Sequence, residues 1–220
     1  MTKALDFTSG YASRRPPMLG HNAVATSQPL AAQAGMKMLQ LGGNAVDAAI
    51  AAAMALTVVE PTGNGIGSDA FAIVWDGEKL HGLNASGRSP ASWHADLFAG
   101  KTAVPEIGWD AVTVPGAVSG WVALAERFGT LPLTTLAQPA IDYARNGFPV
   151  SPLIGHLWQR GYNKLKDQPG FSACFAPEGR APRVGEIFLN PAQANSLELI
   201  ARTNGEAFYR GELAQKIAAF

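Results

Sequence analysis

The sequence contains a single cysteine, Cys174, among its 220 residues. One cysteine cannot form an internal disulfide or, by itself, a cysteine zinc site, and we expect its thiol to be a small buried group. Lysine plus arginine and aspartate plus glutamate each number 17, so the formal net charge is zero. Nucleic-acid-binding proteins carry a basic excess that neutralises phosphates. We therefore expect no nucleic-acid partner.

The chain also lacks a long hydrophobic run. Its longest apolar stretch, residues 48–59, is interrupted by Thr57 and is shorter than the roughly 20 residues of a membrane-spanning helix. Residues 1–20 lack the continuous apolar region of a signal peptide, and we expect them to form an irregular arm. These absences predict a cytoplasmic location and no membrane partner. The length suits one domain or part of a larger protein.

What the sequence does contain is a run of alanines between glycines, LGGNAVDAAIAAAMAL over residues 41–56. An amphipathic helix is predicted just before it, from Gln28 to the glycine pair at 42–43. Asn44 and Asp47 have the spacing of a capping box, which predicts the start of a second helix and a capping role for the aspartate. That helix has no polar face beyond its first turn, so we expect it to be covered on all sides.

A hairpin is predicted next, with FAIVW (71–75) and KLHGLN (79–84) joined across Asp76-Gly77. The first strand is apolar throughout and is therefore predicted to be covered on both faces. Residues 65–70, GIGSDA, match the spacing of a dinucleotide fingerprint. That motif requires strand, loop and then helix, whereas the predicted order here is helix, loop and strand. We expect no nucleotide cofactor.

Beyond Pro90 the sequence turns helical. Four segments have helical periodicity: 121–128, 133–146, 191–203 and 211–220. Connections rich in proline and glycine lie between them, notably 167–186. The last segment stops at Phe220 in the middle of its amphipathic pattern, without a stop signal. We expect the full protein to continue past this point.

The candidate metal ligands show no binding pattern. None of the four histidines, at positions 21, 81, 94 and 156, has the H-x-H or H-E-x-x-H spacing of a metal site. No metal is therefore expected. A Ser-His-Asp set remains open, because such groups meet in space rather than in sequence order.

Arg88 is the residue that general chemistry singles out. It lies just past the second predicted strand, in NASGRSP (84–90), among small residues that leave room for a ligand. A guanidinium at this point could bind a carboxylate through two parallel hydrogen bonds, which lysine cannot reproduce. A surface arginine without a binding role is an equal alternative on these grounds.

Residues 28–75 resemble the start of the large subunit of γ-glutamyltransferases. TVPGAVSGW (113–121), FGTLPLTTLAQPAIDYARNGFPV (128–150) and NSLELIARTNGEAFYRGELAQKIA (195–218) agree with that family in order and spacing, so the resemblance covers about residues 22–220. It implies an α+β fold, the αββα sandwich of N-terminal-nucleophile hydrolases. Residues 1–220 would be one incomplete domain, the N-terminal portion of the large subunit.

The resemblance also implies a precursor that cleaves itself. The threonine that becomes the N-terminus of the small subunit attacks the γ-glutamyl amide, and its own α-amino group can act as the base. In the family that threonine lies beyond the length of this chain. Thr134 and Thr135 fall in a predicted structural helix, so the segment alone is predicted to be inactive. The alanine-rich helix would pack against the sheet that presents the active site.

Members of the family usually carry the pattern Asn-Ala-Arg-Glu on the second strand, where the arginine binds the α-carboxylate of the glutamyl group. Aligned without gaps, Ser86 takes the place of that arginine and Gly87 that of the glutamate, and Arg88 follows two residues later. If the strand continued, positions 86 and 88 would lie on the same face. We therefore predict Arg88 and Ser86 as substrate-binding residues.

The leading functional hypothesis is a γ-glutamyltransferase or hydrolase that acts on γ-glutamyl amides such as glutathione, together with the small subunit of its precursor. The shifted arginine and the loop GIGSDAF, where many members have consecutive glycines, leave open a cephalosporin- or glutaryl-acylase-like amidohydrolase. A non-catalytic binding module that uses a pocket near Arg88 is the alternative of another class.

Overall fold

The computed structural model describes residues 20–220, and the predicted arm over residues 1–20 therefore lies almost entirely outside the described residues. The described part contains nine α-helices and two short 3₁₀ turns, Ala95–Phe98 and Trp109–Ala111. The helices are α1 Pro29–Gln40, α2 Ala45–Val59, α3 Ala117–Phe128, α4 Leu133–Asn146, α5 Pro152–Leu165, α6 Phe171–Phe175, α7 Pro191–Arg202, α8 Glu206–Tyr209 and α9 Glu212–Ala219. None of them is long and apolar enough to cross a lipid bilayer.

Four strands among the described residues form two separate antiparallel pairs. They are β1 Ala70–Trp75, β2 Leu80–Ala85, β3 Phe148–Pro149 and β4 Ile187–Phe188. The first pair is the predicted hairpin, and its turn spans residues 76–79. Asp76 Oδ1 accepts the backbone N–H groups of Glu78 and Lys79, each at 2.9 Å, which closes the turn.

The helix boundaries near the N-terminus follow the predicted signals. Pro29 occupies the first turn of α1, and the side chain of Gln28 accepts the Leu30 N–H as a cap. The capping box at the start of α2 is present: Asn44 Oδ1 accepts the Val46 and Asp47 N–H groups, and Asp47 accepts the Asn44 N–H. Both predicted helices and the capping role of Asp47 are confirmed.

Helix α2 packs mainly against α1 and α4. The expectation that it packs against the sheet is therefore wrong, because α3 is the helix that lies on both strands of the hairpin. The described residues also leave one side of α2 uncovered, so the predicted full cover is not found within residues 20–220. Ala51 and Ala55 are buried, whereas Ala45 and Ala49 face solvent. Alanine tolerates both settings, so its run in the sequence does not reveal which face is covered.

The described residues cover only one face of the hairpin, so the two covered faces predicted for its first strand are not found within residues 20–220. Phe71, Ile73 and Trp75 are 64%, 78% and 63% exposed. The alternate β1 residues Ala70 and Val74 are partly buried on the face that turns to α3. A two-stranded sheet that rests on one helix leaves its outer side chains bare.

Two further local expectations need correction. Helix α5 is not predicted from the sequence, because glycines at 155 and 161 weaken its helical pattern. It forms because Trp158 and Ile154 are buried, and Trp158 packs against Phe188 with ring centroids 4.6 Å apart. Cys174, expected to be buried, is exposed, because α6 lies at the surface with no buried residue.

A buried carboxylate joins the start of α2 to the turn between α3 and α4. Asp47 is fully buried and accepts hydrogen bonds from the Thr130 hydroxyl at 2.5 Å, the Thr130 N–H at 3.1 Å and the Leu131 N–H at 3.3 Å. Asn44 donates to the Phe128 carbonyl from the same helix end. Burial raises a carboxyl pKa, but these hydrogen bonds outweigh it, so the pKa of Asp47 lies below its ordinary value.

Replacing this carboxylate is expected to destabilise the chain. Asp47→Ala removes the acceptor of three part-buried backbone N–H groups, those of Asn44, Thr130 and Leu131, and should lower the free energy of unfolding by about 2–4 kcal/mol, measured by urea denaturation. The folded pKa is depressed, so the stabilisation is present above the unfolded value of about 4 and is lost as the pH falls through the folded pKa. The difference between wild type and variant should therefore shrink in acid.

Asp142→Ala is the matched control, because the Asp142 carboxylate accepts a single surface hydrogen bond from Gln138 on the same helix. It should cost less than about 0.5 kcal/mol. Equal losses for the two variants at neutral pH would contradict a special role for Asp47.

Candidate functional site

A cavity of about 580 Å³ lies where β2 ends and α3 begins. Its walls come from the end of β2, the segment before α3, the first turns of α3 and one side chain of α8. They are formed by Leu83, Asn84, Ala85, Ser86, Gly87, Arg88, Val114, Pro115, Gly116, Ser119, Gly120, Ala123 and Tyr209. Arg88 is the one ionisable side chain in this set apart from the tyrosine. The cavity is therefore suited to an anion.

The cavity wall is built from two backbone segments in direct contact. Gly87 has φ +81°, and a Cβ atom on it would lie 1.8 Å from the Val114 carbonyl oxygen. A Cβ atom on Gly116 would lie 2.0 Å from the Ala85 carbonyl oxygen. Any side chain at either position would push the segments apart, so glycine is required at both.

Hydrogen bonds fasten the same two segments to each other and to the glycine-rich loop. The Val114 N–H donates to the Arg88 carbonyl at 2.9 Å, and the Thr113 hydroxyl donates to the Ser86 carbonyl at 3.4 Å. The Ser68 carbonyl accepts the N–H groups of both Gly116 and Ala117 at the start of α3. These bonds set the backbone position of Arg88.

The structure brings the two predicted site residues together, though not for the predicted reason. Strand β2 ends at Ala85, and the positive φ of Gly87 breaks the alternation that would have placed positions 86 and 88 on one face. Ser86 and Arg88 line the cavity all the same. Ser86 is half-buried and Arg88 is exposed, and no carboxylate of the described residues forms an ion pair with Arg88. Its guanidinium is available to a ligand.

Three polar residues of the cavity, Asn84, Ser119 and Tyr209, were not predicted as site residues. Tyr209, on α8, donates to the Pro115 carbonyl and accepts the Ser119 N–H. The Ser119 hydroxyl donates to the Gly116 carbonyl at 2.8 Å. Ser119 and Tyr209 fall in segments that carry the family resemblance, but no local pattern indicates that they meet.

The cavity holds no activated nucleophile. Its serines, Ser86 and Ser119, have no histidine, lysine or carboxylate among the lining residues to act as a base. Thr134 and Thr135 lie in α4, as predicted. No group of three or more histidine, cysteine or acidic residues within residues 20–220 is placed to hold a metal.

The GIGSDA segment and His81 both have structural roles in the fold. Residues 65–70 lead from the α2 side of the fold into β1, so the order is helix, loop and strand, which is opposite to a dinucleotide site. His81 lies 2.5 Å from Asp76 through Nε2, and Arg127 donates to its Nδ1 at 2.9 Å. Backbone hydrogen bonding from Lys79 and then the His81 contact lower the pKa of Asp76. This network joins the hairpin turn to the end of α3.

The sequence profile described as Gamma-glutamyltranspeptidase matches residues 31–220, and the chain belongs to this family. It is 41% identical over 199 residues to the glutathione hydrolase-like YwrD proenzyme of Bacillus subtilis, with 89% of this chain covered. Among solved structures it matches a cephalosporin acylase from Bacillus halodurans at 50% identity and TM-score 0.84 over 94% of the chain. It matches the Helicobacter pylori γ-glutamyltranspeptidase at 28% identity and TM-score 0.86 over 92% of the chain.

These matches confirm the predicted family. They also confirm the predicted fold class, because the chain forms part of the N-terminal-nucleophile hydrolase fold. The chain spans 38% of the Bacillus subtilis relative, 42% of the Bacillus halodurans acylase chain and 60% of the Helicobacter pylori chain. The described helices and strands are thus a partial form of the fold, in agreement with a hairpin that is bare on one face.

The contact between the two wall segments can be tested by adding a methyl group at position 87. Gly87→Ala combines a strained positive φ with a clash against Val114 and should lower the free energy of unfolding by more than about 2 kcal/mol. Gly42→Ala is the control, since Gly42 has φ +87° but open space around its Cβ position. It should cost about 1 kcal/mol. Urea denaturation measures both, and equal costs would contradict the close approach.

Proposed function

We propose that this chain is the N-terminal part of the large subunit of a self-processing amide hydrolase or transferase, and that the cavity at the end of β2 binds the carboxylate of a γ-glutamyl donor. Family membership supports the reaction class. The observation that supports this binding site is the position of Arg88 in the wall of a cavity that is lined by no acidic side chain. A guanidinium in such a wall can bind a carboxylate through paired hydrogen bonds.

In this proposal the chain positions the donor and another part of the protein attacks it. The nucleophile is the N-terminal threonine of a small subunit released from the same precursor, as the family resemblance implies. Ser86 adds a hydroxyl beside the arginine. Arg88 supplies the charge that fixes the donor, so its role is binding and orientation of the acyl group.

A glutaryl-type acylase is the second candidate. A glutaryl group and a γ-glutamyl group carry their carboxylate at the same distance from the reacting carbonyl and differ only in the α-amino group. The lining residues of the cavity include a cation for the carboxylate but no carboxylate for an ammonium group. The 50% identity to the Bacillus halodurans cephalosporin acylase supports the same candidate.

Arg88→Ala in the full-length protein tests the carboxylate contact. The loss of a charged hydrogen-bonded contact of about 1.5–3 kcal/mol should lower kcat/KM for γ-glutamyl anilide or glutaryl anilide about 10- to 150-fold. Arg88→Lys keeps the charge without the paired geometry and should recover only part of the loss. The measurement is initial-rate kinetics with both donors.

The control donor is 4-aminobutyryl anilide, which has hydrogen in place of the α-carboxylate. Its kcat/KM should be nearly unaffected by Arg88→Ala. Equal losses with all three donors, or no loss with any, would remove Arg88 from the carboxylate site. Preference of the wild type for the γ-glutamyl over the glutaryl donor decides between the two candidate functions.

Self-cleavage of the full-length protein distinguishes the proposed enzyme from a non-catalytic binding module. The full-length protein should split into two chains on denaturing gels, because the threonine must be freed before it can react. The 220-residue chain alone should show no turnover of γ-glutamyl anilide. A single unprocessed band would favour the binding module, and turnover by the chain alone would place the nucleophile within residues 1–220.

A further inference from the structure

We propose that Tyr209 is a positioning residue that holds the carboxylate-binding arginine in place through the segment before α3. The inference rests on the proposed function, in which Arg88 binds the acyl carboxylate of the donor. Tyr209 lines the same cavity, but its effect on Arg88 is indirect, because its hydroxyl binds the backbone segment that contacts the arginine. No pattern around position 209 indicates this role.

The tyrosine hydroxyl makes two hydrogen bonds to one corner of the chain. It donates to the Pro115 carbonyl at 2.7 Å across 94 residues of sequence, and it accepts the Ser119 N–H at 3.0 Å. One hydroxyl therefore ties the segment before α3 to the first turn of that helix. Pro115 is half-buried, whereas Ser119 is exposed, so the bond to the Pro115 carbonyl is the one that water replaces less effectively.

The backbone of residues 114–116 holds Arg88 in position. Pro115 lies between Val114, whose N–H donates to the Arg88 carbonyl, and Gly116, which has no room for a Cβ atom beside the Ala85 carbonyl. A displacement of Pro115 would move both neighbours, and each of them touches the residues that flank the arginine. The Tyr209 hydroxyl is thus linked to Arg88 through the backbone of Pro115 and Val114.

The other contacts at this corner do not replace the tyrosine. Ser68 accepts the Gly116 and Ala117 N–H groups, and the Ser119 hydroxyl donates to Gly116. Among the hydrogen bonds of the described residues, the tyrosine hydroxyl is the only donor to the Pro115 carbonyl. The ring also packs edge-on against Phe208, with centroids 5.1 Å apart. Phenylalanine would keep that packing and lose only the two hydrogen bonds.

Tyr209→Phe in the processed full-length enzyme is the test, with Tyr162→Phe as the matched control. The Tyr162 hydroxyl also donates to a backbone carbonyl, that of Gly179 at 2.6 Å, but Tyr162 does not line the cavity. We expect Tyr209→Phe to raise KM for the accepted anilide donor about 5- to 10-fold while kcat changes less than about 2-fold. Tyr162→Phe should leave both constants close to wild type.

Two further readouts distinguish positioning from a general structural effect. With 4-aminobutyryl anilide, which has no carboxylate for the arginine, Tyr209→Phe should change kcat/KM less than about 2-fold. In the Arg88→Ala background, Tyr209→Phe should add almost nothing, because the residue it positions has been removed. Additive losses in the double variant would overturn the inference, as would equal losses with every donor.

The outcome for Arg88 keeps the two proposals separable. If Arg88→Ala lowers activity as expected and Tyr209→Phe behaves like Tyr162→Phe, the positioning role fails and the proposed function stands. If Arg88→Ala has no effect with either carboxylate donor, the proposed carboxylate site fails, and the role of Tyr209 fails with it.

Discussion

Direct contact between two backbone segments is the constraint on which the candidate site depends. The end of β2 and the residues before α3 approach so closely that neither Gly87 nor Gly116 could carry a side chain. The same approach brings Val114 within hydrogen-bonding distance of the Arg88 carbonyl. An exposed arginine on a free loop would sample many positions, whereas this one has a fixed backbone from which its long side chain extends into the cavity.

Helix α3 connects this site to the helical layer. Its first turn is held by the Ser68 carbonyl and by the Tyr209 hydroxyl, and its last residue accepts a hydrogen bond from Asn44. The turn that follows is held by the buried Asp47. The helix thus runs from a polar clamp in the core to the cavity, and it also carries the hairpin on its side. The stability of the helical layer and the geometry of the site are linked through it.

The hairpin has two different faces, and this difference matches the length of the chain relative to its family. One face rests on α3, while Phe71, Ile73 and Trp75 form a row of exposed apolar side chains on the other. A contiguous apolar row of this kind typically marks a contact surface. The family resemblance implies a second sheet in the complete fold, and a sheet would cover such a row with its own apolar side chains.

Much of the architecture could be predicted because it is written in local patterns. The capping pair Asn44 and Asp47 predicts the start of α2, and Asp76-Gly77 predicts the hairpin. The position of Arg88 among small residues after the second strand identifies it as a candidate binding residue, and the family pattern on that strand supports the same residue. Where local pattern was ambiguous, prediction failed: alanine suits buried and exposed positions alike, so the neighbours of α2 were assigned wrongly. The apolar sequence of a strand does not indicate whether the layer that covers it belongs to the same chain.

The sequence by itself determined helices α1 and α2 with their caps, the hairpin of β1 and β2, and that a cation stands among small residues after β2. Only the tertiary structure decided that Gly87 ends the alternation, that residues 113–116 lie against it, and that Tyr209 closes the same corner. The reason is physical: caps and turns depend on groups a few residues apart, whereas the contact between Tyr209 and Pro115 spans 94 residues. Such a contact exists only once the core has packed.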